Sequence, residues 1–231
     1  MSLWNYSRGV KQAGFPETLL ATGGQIYGVV LNDSHSLSIL GKKLKAPPYK
    51  TAPRRPVMYF KPRNTIRGSG AVVSLPAGEK KVEVAGALGV VIGRPLSRVS
   101  AEQASSAIAG YVTVADLSLP HDSYFRPAIR EKCFDGACPV GEPVAAKTID
   151  NPCDLEISTY INDEQTAHRT LANLHRPVQQ LMADISEFMT LAPGDVLLSG
   201  IRYKSPQAAP GDNIRIEIDG VGSLQFSIQN N

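Results

Sequence analysis

The sequence predicts a mainly β, α+β domain with a few short helices, and three observations carry that expectation. NIRIEID (213–219) alternates strictly between polar and apolar residues, and Gly220 and Gly222 turn it into SLQFSIQ, the pattern of a closing hairpin. VEVAGALGVVIG (82–93) and YVTVADLSL (111–119) are apolar, β-branched runs of strand length. Sustained helical spacing is clear only after Pro177, the expected first helical residue. There Val178, Leu181, Met182, Ile185, Phe188 and Met189 form one core-facing stripe, in which both methionines pack rather than bind a ligand.

Residues 1–22 are polar, contain Gly14 and Pro16 and show no sustained period, which predicts a loosely held extension ahead of a single domain, residues 23–231. GQIYGVVLN (24–32) reads as a strand ended by the Asn32-Asp33-Ser34 turn. Residues 41–56 are rich in proline and basic side chains, which resist helix and central strand alike, so a mobile loop is expected. VMYFKPRNT (57–65) is a strand up to Lys61-Pro62, and AVVSLP (71–76) is another. Ser100 followed by Gln103 fits a capping box for a helix that runs to Ala109 and is stopped by Gly110. His168 and His175 read as surface residues of a loop before the helix at 177. Ala192-Pro193-Gly194-Asp195 breaks that helix, and DVLLSG (195–200) begins the next strand.

With 231 residues, 42% hydrophobic and 19% charged, the chain can bury a sizeable core as one domain. Its formal charge of +3 is spread without a basic block, so nucleic acid is not an expected partner. The opening residues lack an apolar h-region and no segment approaches the roughly 18 apolar residues of a membrane span. A soluble, cytoplasmic protein is the expectation. Cys133, Cys138 and Cys153 are few and odd in number, which suits reduced thiols, and Cys133 and Cys138 read as small buried residues. His35, His121, His168 and His175 have no metal-ligand spacing among themselves.

Particular motifs sharpen this picture. LGVVIG (88–93) matches the second half of an E-x-E-L-x-V-V-I-G strand, and IAGYVTVADLSL (108–119) is similar to a Y-x-x-x-x-D strand. ISEFMTLAPGDVLLSG followed by PGDNIRIEIDGVGSL is similar to a C-terminal signature. Over about residues 24 to 228 the chain thereby resembles the fumarylacetoacetate hydrolase family. That resemblance implies a mixed β-roll or sandwich of the family's C-terminal-domain type, with the 82–93 and 111–119 strands adjacent. FKPRNT (60–65) and SYFRPAIREKCFDGACPVGEPV (123–144) look like one branch of the family, the bifunctional isomerase/decarboxylases of 4-hydroxyphenylacetate (homoprotocatechuate) degradation. Within that branch the likeness is to the N-terminal half, or separate subunit, that lacks the metal.

Carried over position by position, the resemblance gives a mixed site. The family's E-x-E carboxylates fall on Ala85 and Ala87, and its third metal carboxylate on Asp116, a remnant. Glu83 shares a strand face with Ala85 but lies about 6 to 7 Å along it. The catalytic lysine falls on Lys132, and Lys61, Arg126 and Arg130 are the implied substrate-binding residues. The lid motif N-Y-A-D-H-x-x-E is altered, with Ser36 at the His position, Ile39 at the Glu position and His35 one residue out of register. Ser199-Gly200-Ile201-Arg202 replaces the T-G-T-P turn. Family members use Mg²⁺ or Mn²⁺ to stabilise an enolate. One carboxylate supplies too few of the six or so oxygens such a cation needs, so none is expected on this chain alone.

Two options stay open at Lys132, an anionic substrate or an ion pair with Asp116. The basic loop 42–55 either steers a dicarboxylate or is simply solvated. The implied function is a subunit of an enzyme acting on 2-hydroxyhepta-2,4-diene-1,7-dioate and 5-oxopent-3-ene-1,2,5-tricarboxylate, dimeric with a homologous metal-bearing partner. A catalytically inactive scaffold is the alternative. A free-standing β-diketone hydrolase is weaker, since it needs the missing His, Glu and metal pair.

Overall fold

Two strands of eleven residues each form the spine of the fold. In the computed structural model, which describes residues 15–121 and 126–231, they are reached through a more helical beginning than expected. Helix α1 (Phe15–Thr22) buries Phe15 and Leu19, so the part of the extension that is described packs onto the domain. The rest of that extension, and Ser123 to Phe125 of the 123–144 motif, lie outside the described residues. After strand β1 (Ile26–Val30), Asp33 caps helix α2 (Ser34–Leu44) by accepting from Ser36 N at 2.7 Å. Leu37, Leu40 and Leu44 turn the apolar side of α2 inward. The loop expected over 41–56 therefore starts later, and residues 45–56 carry neither α-helix nor strand.

Strands β2 (Val57–Lys61), β3 (Ile66–Arg67) and β4 (Ala71–Leu75) precede β5 (Val82–Ile92). The Ser100/Gln103 capping box is present at helix α3 (Ala101–Ser105), but the helix is shorter than expected and β6 (Ile108–Ser118) already contains Gly110. Gly110 serves a close approach instead of a helix stop, because a Cβ there would stand 2.2 Å from Val144 O. Helix α4 (Ile129–Lys132) and strands β7 (Cys138–Pro139) and β8 (Val144–Ala145) follow.

A hairpin missed in the sequence joins β9 (Glu156–Ile161) to β10 (Glu164–Thr170). Its two-residue loop, Asn162-Asp163, has φ of 51° and 66°, the left-handed pair a type I′ turn needs. His168 thus sits on a strand, not in a loop. Helix α5 (Val178–Ser186) has Pro177 as its cap rather than its first residue, and it ends before Phe188, which is 63% exposed and leaves the expected stripe. Strands β11 (Val196–Leu198), β12 (Gln207–Ala208), β13 (Asn213–Ile218) and β14 (Gly222–Asn230) complete the chain, the last two as the expected hairpin.

One sheet has the order β2-β1-β11-β5-β6-β8, with β12 also paired to β5; the second is β10-β9-β13-β14-β4, and β3 and β7 form a small ribbon. β5 and β6 pair antiparallel, with Ala85 directly opposite Asp116. Alternation then divides the interior. Val84, Leu88, Val90, Ala115 and Leu117 face the second sheet and α5, forming one core. Ala85, Ala87, Val112 and Val114 face α1, α2 and the β3–β7 ribbon, forming the other. Among the described residues no helix is long and apolar enough to cross a membrane.

Candidate functional site

The strand order poses a distance problem that one lysine solves. β2 and β6 are four steps apart in their sheet, about 19 Å if it were flat. Yet Lys61 Nζ, on β2, lies 2.6 Å from Asp116 Oδ1 on β6. The sheet must therefore curl until its two sides face each other, which is the roll the motifs implied. Lys61 is buried, and its ammonium also donates to Leu117 O at 2.7 Å, Lys132 O at 2.9 Å and Ala137 O at 3.0 Å. An ammonium has three N–H bonds, so all of Lys61 is committed inside the protein.

Asp116 gathers the rest of the cluster. Lys132 Nζ, from α4, lies 3.2 and 3.0 Å from its two oxygens and 4.5 Å over the Tyr59 ring. The Tyr59 hydroxyl donates to Asp116 Oδ2. Tyr59 reaches that oxygen by lying across Gly28 on β1, where a Cβ would stand 2.1 Å from Tyr59 Cζ. Burial by itself would push the Asp116 carboxyl up; the Lys132 and Lys61 charges, with hydrogen bonds from Lys61 and Tyr59, reverse this and hold it at about 2. Burial pushes the Lys132 ammonium below its ordinary value, with Asp116 opposing.

A divalent cation does not fit these donors. Both Asp116 oxygens are taken by ammonium or hydroxyl donors, and the residue across from it is Ala85. The cavity between Asp116, Glu83, Ser118, His121 and Lys132 is about 10 Å³, room for one water at most. Among the described residues no group of three His, Cys, Asp or Glu side chains is placed to hold a metal ion.

The other expected residues scatter. Arg126 is exposed and shares with Lys132 an apolar cleft of about 310 Å³, whose walls include Val57, Tyr59, His121 and Ile129. Arg130 turns outward to pair with Glu79 at 2.8 Å. The lid positions are folded into α2: Ser36 is buried on the Asp33 cap, whereas His35 is exposed and Ile39 is 53% exposed. Ser199 and Gly200 lend backbone carbonyls to Asn32 at 2.8 Å and Arg169 at 2.8 Å. Tyr59 was missed in the sequence. Its signal was the two-residue step to Lys61, which puts both on one face of β2.

Residues 25–229 match the family described as "Fumarylacetoacetate (FAA) hydrolase C-terminal". The chain is 39% identical over 202 residues to the 4-hydroxyphenylacetate degradation bifunctional isomerase/decarboxylase of Escherichia coli, a match covering 87% of this chain and 46% of that protein. The chain thus spans about half the length of the curated relatives it matches first. Among solved structures, 2-hydroxyhepta-2,4-diene-1,7-dioate isomerase from Mycobacterium marinum superposes with a TM-score of 0.74 at 30% identity, over 90% of this chain and 75% of that one. Fumarylpyruvate hydrolase from Pseudomonas aeruginosa, solved with Mn²⁺ and pyruvate, shares the fold at a TM-score of 0.77 and 21% identity, over 90% of each chain.

Proposed function

The chain belongs to the fumarylacetoacetate hydrolase family, and from that premise we propose that it is the metal-free subunit of an isomerase/decarboxylase in 4-hydroxyphenylacetate (homoprotocatechuate) catabolism. Its substrates are 2-hydroxyhepta-2,4-diene-1,7-dioate and 5-oxopent-3-ene-1,2,5-tricarboxylate. It works in the cytoplasm, paired about a two-fold or pseudo-two-fold axis with a homologous subunit that carries the Mg²⁺ or Mn²⁺ site. The observation that carries this reading is the pair of ammonium groups, Lys61 and Lys132, set against Asp116 where a cation is otherwise needed. Within this chain, the cleft lined by Arg126 and Lys132 is where a substrate carboxylate would bind.

The test is an assay of three samples with Mg²⁺ present: this chain, the metal-bearing homologue, and their mixture. The mixture is expected to exceed the sum of the two. Full turnover by this chain alone would overturn the proposal. An inactive scaffold is the second reading, favoured by the commitment of Lys61 to internal acceptors. Calorimetry with a substrate dicarboxylate separates the two, because only a substrate-binding subunit takes it up and loses it with Arg126→Gln.

A further inference from the structure

On the face of β5 turned away from Asp116, Val84 and Gly86 form one wall of a cleft of about 410 Å³. β9 and β10 form the other wall, and residues 202 to 206 close the end. Arg169, Arg202 and Lys204 line it together with the hydroxyls of Thr159, Thr166 and Ser205, and among the described residues no carboxylate does.

Arg169 is only 7% exposed. Its Nη2 donates to Gly86 O at 3.1 Å and Gly200 O at 2.8 Å. It does so at the gap in the sheet, where the pairing of β5 with β11 has ended and that with β12 has not begun. Among the described residues its buried Nη1 has no acceptor, and neither has the buried Nε of Arg202 at the end of the cleft. Burial pushes the Arg169 guanidinium down to about 10, which leaves it charged at neutral pH. Asp33, whose field favours that charge, spends Oδ1 on Ser36. A buried charged donor left without an acceptor bears its full desolvation penalty, and an oxyanion is the kind of acceptor that relieves it.

We propose that this cleft is a second small-molecule site, which takes the carboxylate or phosphate group of a small anion on Arg169 and Arg202 with Lys204 at the rim. The site is separate from the Arg126 cleft. It borders the small cavity at Asp116, with which it shares Arg202 and Ser205.

Calorimetric titration at constant ionic strength with inorganic phosphate, and separately with malonate, tests the assignment. One-to-one saturable binding is expected with at least one probe. Phosphate alone, malonate alone or both each support the site and identify the group it prefers. Arg202→Gln should weaken binding about tenfold, the loss of one charge-assisted hydrogen bond. Lys204→Gln should weaken it less, and the binding that these two variants weaken should persist in Arg126→Gln. Arg202 is half-buried and Lys204 exposed, so both variants should melt like the parent; Lys204→Gln serves alone if Arg202→Gln does not fold. Absence of saturable binding by either probe overturns the proposal. So does binding that falls with Arg126→Gln but not with the cleft variants.

Discussion

Replacing Lys61 by methionine should do far more damage than replacing Lys132 by methionine, although both lysines contact the same carboxylate. Lys61 donates to three backbone carbonyls besides Asp116, whereas among the described residues Lys132 Nζ donates only to Asp116. Ala137 O keeps a second donor, Leu117 N at 3.0 Å, so the substitution deprives Leu117 O and Lys132 O most. Each buried acceptor left unsatisfied costs about 1–3 kcal/mol, and the lost hydrogen bond to Asp116 adds about 1.5–3 kcal/mol. Some of this is returned because one fewer ammonium is buried, leaving a net loss of about 3–5 kcal/mol, a large part of a typical 5–15 kcal/mol total. In Lys132→Met, Asp116 keeps Lys61 and the Tyr59 hydroxyl, so no carboxylate is stranded and the loss should be about 1 kcal/mol. Urea unfolding followed by circular dichroism measures both, with the slope checked for constancy so that midpoints report stability. If Lys132→Met proves as costly as Lys61→Met, then Lys61 does not hold the roll closed.

Asp116 should also make the fold acid-sensitive. Its carboxyl is held at about 2 against an ordinary 3.8, so the unfolded chain takes up the proton first. About 2 kcal/mol of stability is therefore present above pH 4 and lost as pH falls toward 2, and Asp116→Asn should flatten that slope in urea midpoints taken from pH 5 to 2. An unchanged slope in the variant counts against this account of the cluster. Calorimetry of the isolated chain with Mn²⁺ should reveal no stoichiometric micromolar site, and finding one would contradict the donor-set argument. Gly28→Ala should force Tyr59 off Asp116 and cost at least the 1–3 kcal/mol typical of overpacking; Tyr59→Leu in the same chain should recover part of it.

The long strands were legible because β5 and β6 are apolar and β-branched along nearly their whole length, and the closing hairpin because one of its faces meets the first sheet. α2 was not, because Gly41 and the lysines beside it resemble the proline-rich loop that follows. Its signal lay in the Asp33 cap and in the spacing of Leu37, Leu40 and Leu44. The ion pair between Asp116 and Lys132 was one of two options open from sequence. What the sequence concealed was the curl of the sheet, which brings Lys61 from a distant strand to the same carboxylate. Curvature is a property of packing and leaves no periodic mark. Arg169 was hidden for a similar reason, since its partners are backbone carbonyls far away in the chain.

The order of pairing along the chain bears on how this protein can be made. β1 lies parallel to β11, joining Ile26 to Val196, and β4 lies parallel to β14, joining Ala71 to Phe226. Both sheets thus recruit an early strand to a late one, and neither can close while the ribosome still holds the last pairing residues. Among the described residues β4 pairs only with β14, so during synthesis it waits as an unpaired strand with Val73 and Leu75 exposed until β14 arrives. Pairings of such long sequence separation close slowly, because loop entropy is lost before any contact repays it. Slow synthesis or truncation within β14 should therefore shift the nascent chain toward chaperone capture and aggregation rather than toward a shortened but folded product.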